Sequence, residues 1–320
     1  MERAGSQGAM QRTLLILALI TLALPAAADA SYPGGNPTSG RTGGKLVFFQ
    51  ADIGGVDPVG LAVADADGRN QTPEPVGPAC GGEGETREPG PCPADAVWSP
   101  DGRRIAFALG DELVTMLPDG SDQRRTSFAG LTRIGSPTWS PDNRQIGFSA
   151  LAVGRRNVYT ALADGSDPRR LTTIGGSAPA WSARNEIAFV RDGNIRVMAP
   201  RPSEAGARRV AAGDKPTWAP GGLALAFVRN VRLTRGSSKV TSVLYRVDLR
   251  GRGLLRLTSR RSEEPAWTPD GRRVMFTRSD GFNLRVLSVG ARRGRGERLV
   301  TAGFEGRRVA ALSADQQPLR

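Results

Sequence analysis

The 320-residue chain contains no histidine. That absence removes Ser-His-Asp and Cys-His catalysis, the usual imidazole general base and the commonest metal ligand. Cysteine is nearly absent too. Cys80 and Cys92 are the only two, and they bracket the Gly/Pro-rich stretch "GGEGETREPGP". A zinc site needs further Cys or His ligands, so an extracytoplasmic disulfide tying this loop is the expectation. Lysine is scarce: of 44 basic residues only Lys45, Lys215 and Lys239 are lysine, the rest arginine, against 31 acids, for a net charge of +13. Long apolar runs are missing except for "TLLILALITLAL" from Thr13. It falls short of the ~20 residues that span a bilayer. Arg3 and Arg12 precede it and the small-residue stretch "PAAADA" follows, which is the pattern of a secretory signal peptide over residues 1–30, cleaved after Ala30. Residues 31–44, rich in Gly, Pro and Ser, are expected to be a disordered linker.

No helical periodicity and no strand-to-helix phosphate loop follow. "DADGRN" from Asp65 lacks the glycine and glutamate of a calcium loop and reads as an Asp-Gly turn. Instead the chain repeats one phrase. "VWSPDGRRIAF" from Val97 returns as "TWSPDNRQIGF", "AWSARNEIAF", "TWAPGGLALAF" and "AWTPDGRRVMF". All five tryptophans, Trp98, Trp139, Trp181, Trp218 and Trp267, stand in it, 41, 42, 37 and 49 residues apart. Ser-Pro-Asp-Gly is turn chemistry, with Pro and Asp early and Gly late. After it come a β-rich run ("RRIAFAL"), a second apolar strand ("ELVTML"), an Asp-Gly turn and a strand such as "RRLTT". Four short antiparallel strands in about 40–45 residues make a propeller blade. The Trp and Phe of each unit are expected to pack between neighbouring blades.

The first unit has no Trp phrase and opens on "KLVFFQ", Lys45 to Gln50, whereas "AALSADQQ" near the C-terminus aligns with "AVWSPDGR". The expected architecture is therefore all-β: one six-bladed propeller over residues 45–320, with four-stranded antiparallel blades. Its ring is closed by a C-terminal strand, with Ala310–Ala311 beside Val47–Phe48.

At "WSPDGRRIAF" (Trp98) and "ADGSDPRRLT" (Ala163) the chain resembles the TolB-like propeller repeats, from about Lys45 onward. The likeness is to the propeller and not to the α/β domain that precedes it in TolB. It implies the propeller fold.

In such a ring the Ser-Pro-Asp-Gly turns share one face. The longer connections, among them "ALAVGRRN" (Ala150), "RNVRLTRGSSK" (Arg229) and "TSRRSEE" (Thr258), share the other. Asp95, Lys215 and Glu264 each stand three residues before a repeat Trp and are the candidate ligand-binding residues at the channel mouth. No cofactor is expected. The favoured reading is a monomeric, secreted or periplasmic, non-catalytic scaffold that binds an envelope protein or an anionic polymer. The basic balance favours acidic partners, but scattered arginines without a recognised motif do not point to nucleic acid. The alternative is a propeller lyase or hydrolase acting on a sugar or lactone, with channel carboxylates such as Asp95 and Glu264 and a divalent metal.

Overall fold

In the computed structural model the described residues are 45–50, 60–65, 72, 76–78, 91–232, 240–279, 284–300 and 314–316. The expected signal peptide and linker, and Cys80, lie outside them. The chain opens with β1 (Lys45–Gln50) and β2 (Gly60–Asp65). Blade one holds β3 (Pro93–Trp98), β4 (Ile105–Leu109), β5 (Glu112–Met116) and β6 (Arg124–Ser127). Blade two holds β7 (Thr132–Trp139), β8 (Gln145–Ala152), β9 (Arg155–Leu162) and β10 (Arg169–Arg170). Blade three follows with β11 (Ser177–Trp181), β12 (Ile187–Arg191), β13 (Asn194–Met198) and β14 (Arg208–Ala212). Blade four comprises β15 (Asp214–Trp218), β16 (Ala224–Arg232), β17 (Val240–Asp248) and β18 (Leu255–Arg256). Blade five comprises β19 (Glu263–Trp267), β20 (Arg273–Ser279), β21 (Leu284–Gly290) and β22 (Arg298–Leu299), and β23 (Ala314–Gln316) ends the described chain. Strand order within every blade is sequential and every pairing antiparallel. The architecture is an all-β propeller.

Among the described residues it has five four-stranded blades, one fewer than expected. The sixth sheet has three strands in the order β2-β1-β23. Among the described residues that follow β2, the Thr72 N–H donates to Val63 O and the Val76 N–H to Leu61 O, and Leu61 and Val76 form an isolated bridge. The sequence there, "TPEPVGP", carries prolines at 73, 75 and 78, and a proline has no N–H to give a ladder. The C-terminal pairing also differs from expectation in register. Val47 faces Asp315 and Phe48 faces Ala314, four residues later than the alignment of Leu312 with the tryptophans implies. Ala310–Ala311 lie outside the described residues.

The repeated phrase has a physical role at each letter. Trp98, Trp139, Trp181, Trp218 and Trp267 are all buried, and each ring packs against the preceding sheet. Trp218, for example, lies among Ala178, Ala180, Val197 and Val210 of blade three. Its Nε1 donates to Ala180 O at 2.8 Å, and Trp267 Nε1 donates likewise to Thr217 O at 3.2 Å. Leu46 and Phe48 of β1 pack on Ala266 and Met275 of blade five, while Val47 and Leu61 pack on Trp98 and Phe107 of blade one.

The turn serine is a hub. Ser99 Oγ donates to Asp101 at 2.6 Å and accepts the Arg104 N–H at 2.9 Å. Ser140 and Thr268 repeat the bond to Asp142 and Asp270. The turn needs one left-handed residue, supplied by Gly102, Gly222 and Gly271 in three blades and by Asn143 and Asn185 in the others. Asn185 thus rescues the degenerate "WSARN" and also accepts the Trp181 Nε1–H at 2.8 Å.

Candidate functional site

Asp95, Lys215 and Glu264 occupy one register of the first strand of their blades, and Ser136 and Ala178 hold it in the other two. At this register each first strand is bulged: the ladder slips between Ala94 and Val97, Gly135 and Thr138, Ser177 and Ala180, Asp214 and Thr217, and Glu263 and Ala266. All five residues are left-handed, with φ of 63° at Asp95, 52° at Ser136, 46° at Ala178, 49° at Lys215 and 48° at Glu264. A bulge re-aims a side chain that strand alternation would otherwise dictate, and non-glycine residues held left-handed mark a demanding local geometry. Here Asp95, Lys215 and Glu264 reach the register-mates of neighbouring blades.

Asp95 Oδ2 accepts the Ser136 N–H at 2.5 Å. Lys215 Nζ is hydrogen-bonded and ion-paired to Glu264 Oε1. Two of the three expected residues therefore touch, and Asp95 is near enough to act on Glu264 by charge. They lie inside strands, not in solvated loops: Asp95 is 2% exposed, Glu264 5%, and the Lys215 side chain 18%. Glu264 Oε2 is buried and has no hydrogen-bond partner among the described residues.

Burial pushes the Glu264 carboxyl well above the usual carboxylate range, Lys215 offsets this in part, and Asp95 and Glu263 add to it. Burial pulls the Lys215 ammonium down, but Glu264, Glu263 and Asp214 outweigh it and leave it raised. A carboxyl raised in the fold contributes stability that is complete below its unfolded range and is lost as pH rises through the folded value. Thermal melts from pH 4.5 to 9 should therefore show the native chain losing stability relative to Glu264→Gln as pH rises. A relative gain would show that the ion pair with Lys215 outweighs the burial of Glu264.

A second set of residues surrounds this level, and the sequence reading missed it. The carbonyl six residues before each repeat Trp is held by a guanidinium in four blades. Arg156 Nη1 bonds Arg133 O at 2.8 Å, and the Nε groups of Arg191, Arg229 and Arg278 bond Gly175 O, Ala212 O and Arg261 O at 2.9, 2.9 and 2.8 Å. Three of these arginines stand two residues after the repeat Phe and lie over its ring, at 5.2, 5.6 and 5.0 Å from the centroid. The signal was present as "FVR", "FVR" and "FTR". In blade one the same position, six before Trp98, is Cys92, which is disulfide-bonded. Its expected partner Cys80 is outside the described residues.

Arg191 is further ion-paired with Glu204, and Arg278 with Glu297 at 2.8 Å. Between blades two and three, on the face carrying the β8–β9 turn and the β10–β11 connection, lies a cleft of about 400 Å³. Arg133, Arg156, Arg191, Gly154, Ile174 and Asp192 are among its walls. Among the described residues no group of three or more Cys, Asp or Glu side chains is placed to hold a metal ion, and no helix is long and apolar enough to cross a membrane.

No known protein-family profile matches the chain. Solved structures do. TolB from Acinetobacter baumannii superposes with a TM-score of 0.65 and 18% identity over 86% of this chain and 67% of that one. A putative TolB from Agrobacterium tumefaciens gives 0.57 and 19% over 85% and 92%. An oligogalacturonate lyase in complex with manganese gives 0.53 and 14% over 88% and 78%. At such identities the likeness establishes a propeller fold that this chain shares with TolB and with an enzyme alike.

Proposed function

We propose that the chain is a TolB-like, extracytoplasmic, non-catalytic binding scaffold that engages a protein or an anionic polymer of the cell envelope through its loop face. The observation that carries this reading is how the central side chains are engaged. Asp95 holds the backbone of blade two and Lys215 holds Glu264, both within buried strands, so the expected site residues join blades to one another. The loop face offers exposed charge of its own, with Arg133 in the wall of the cleft. The signal-like N-terminus and the Cys80–Cys92 pair support an oxidising, exported setting. On this reading β23 closes the ring against β1, and that disulfide ties the loop entering blade one. Asp95, Lys215 and Glu264 tune the channel from below its rim.

Glu264 also favours a second reading. A buried carboxyl with a raised pKa and an unpartnered oxygen is a form that general acids take, and an oligogalacturonate lyase shares the fold. Two assays separate the readings. Photo-crosslinking residues at Val153 on the loop face and at Asp119 on the Asp-Gly-turn face should capture envelope partners from position 153 alone. Galacturonate oligomers with Mn²⁺, and simple lactones, should show no turnover; turnover lost in Glu264→Gln would establish the enzyme instead.

A further inference from the structure

We infer that the outer corner where the β17–β18 and β21–β22 turns meet rests on an anionic lipid bilayer, with its arginines among the headgroup phosphates and Leu254 and Leu299 entering the surface. The corner lies on the Asp-Gly-turn face, away from the loop face, and the inference does not depend on the scaffold reading.

The corner stands out by its charge. In blades one and two the turn before the outermost strand is acidic: "PDGSD" carries Asp119 and Asp122, and "ADGSD" carries Asp164 and Asp167. Those acids neutralise neighbouring arginines, Asp122 with Arg104 at 2.6 Å and Asp167 with Arg169 at 2.8 Å. In blades four and five the same turn reads "RGRG" over residues 250–253 and "ARRGRG" over residues 291–296. Arg250, Arg252, Arg292, Arg293 and Arg295 are all exposed, and their side chains make no hydrogen bond or ion pair among the described residues. Two acids flank these turns and both are engaged. Asp248 accepts the backbone N–H groups of Arg250 and Arg252 at 2.9 and 2.7 Å. Glu297 is ion-paired with Arg278 at 2.8 Å.

Packing brings the two turns together. Gly294 is left-handed, with φ of 60°, and a Cβ there would lie 2.8 Å from Leu257 O and 3.0 Å from Arg256 O. Only glycine tolerates that approach. The arginine turn of blade five is thereby seated on the outer strand into which the arginine turn of blade four leads. Five guanidiniums of one sign gather at one corner, and an external anion would relieve their repulsion. Their planar forks suit phosphate oxygens.

The apolar part identifies the source of the phosphate. Leu254, directly after the blade-four turn, is 47% exposed, and Leu299 of β22 is 46% exposed. Leu299 lies opposite Leu287, which packs on the blade-four side of its sheet, so the two side chains share that side. A soluble polyanion would satisfy the arginines and leave both leucines in water. A bilayer surface takes both, with cations at the phosphates and apolar side chains in the acyl boundary.

The test is sedimentation of the full chain with vesicles of equal parts phosphatidylcholine and phosphatidylglycerol and with phosphatidylcholine alone, beside titration with inorganic polyphosphate. The mixed vesicles should bind the chain more tightly than phosphatidylcholine does, and added salt should weaken that binding. Arg292→Glu/Arg293→Glu should weaken it by about tenfold or more, and Arg250→Glu/Arg252→Glu should do the same from the other turn. Arg103→Glu/Arg144→Glu, exposed on the same face at blades one and two, makes the same change in net charge and should have little effect. Leu254→Ser/Leu299→Ser should weaken vesicle binding severalfold and leave polyphosphate binding unchanged. All variants share one N-terminus, so the apolar run from Thr13 contributes equally to each. Equal losses from the three charge reversals would mean that overall charge, and not this corner, draws the chain to lipid. Polyphosphate binding that needs the corner arginines, with no effect of the leucines on vesicles, would replace the bilayer with a soluble polyanion. No preference for the mixed vesicles would overturn the inference outright. In each case the loop-face crosslinking contrast still decides the scaffold reading by itself.

Discussion

Trp218→Ala should destabilise the protein by ~3–5 kcal/mol, the range for truncating a buried large aromatic. Trp218 is fully buried, and its ring fills the seam between blades three and four. The same substitution also deprives the buried Ala180 carbonyl of the indole N–H that now reaches it across that seam. Trp218→Phe keeps most of the apolar surface and should cost ~0.5–1.5 kcal/mol, near the net worth of the lost hydrogen bond. Trp181→Phe makes a useful contrast, because its indole N–H bonds within its own turn, to Asn185, and not across the seam. Denaturant unfolding with a control at Arg103 measures all three. A cost below ~1 kcal/mol for Trp218→Ala would mean that the phrase is not what joins the blades.

The scaffold was legible in the sequence because it is written five times. A Trp, a left-handed Gly or Asn and an apolar strand recur in all five units, and a hydroxyl-bearing turn residue in four, with Ala219 in the other. The sixth sheet was not legible to the same degree. Its prolines alone set "TPEPVGP" apart from the corresponding stretches of the other units. The match of "AALSADQQ" to "AVWSPDGR" rests on three identities, Ala310, Ser313 and Asp315, too few to set a register. The spacing of Asp95, Lys215 and Glu264 from their tryptophans put them in one register, and of the three Lys215 and Glu264 touch. Alternation alone could not show that the strand is bulged at all three, because a bulge leaves no mark on polar-apolar periodicity. The arginine clamps were spelled out as Phe-x-Arg, but their partners are backbone carbonyls, which have no letter in the sequence. The cleft is harder still. It lies between two blades, so no single repeat spells it out.

Deleting residues 314–320 should lower stability by about 2–3 kcal/mol and make the chain aggregate, since a few ladder hydrogen bonds at ~1 kcal/mol each are lost and an edge is opened. Leu46, Val47 and Phe48 of β1 pair with Gln316, Asp315 and Ala314, and without β23 that side of β1 would present bare N–H and C=O groups. The exposed edge would belong to a strand whose Leu46, Val47 and Phe48 are buried on both faces, between blades five and one. An apolar strand with an open edge is a template for pairing with another molecule. Light scattering and thermal melting read the two effects separately. The same pairing permits a stricter test. Because Gln316 lies opposite Leu46, a short turn can connect β23 directly to β1 as a hairpin, while the chain is reopened between residues 233 and 239. This circular permutant should melt within a few degrees of the native protein and remain monomeric. If instead the truncated chain melts like the native one and stays monomeric, β23 contributes nothing to the ring, and β1 and β2 hold their place through packing against blades one and five alone.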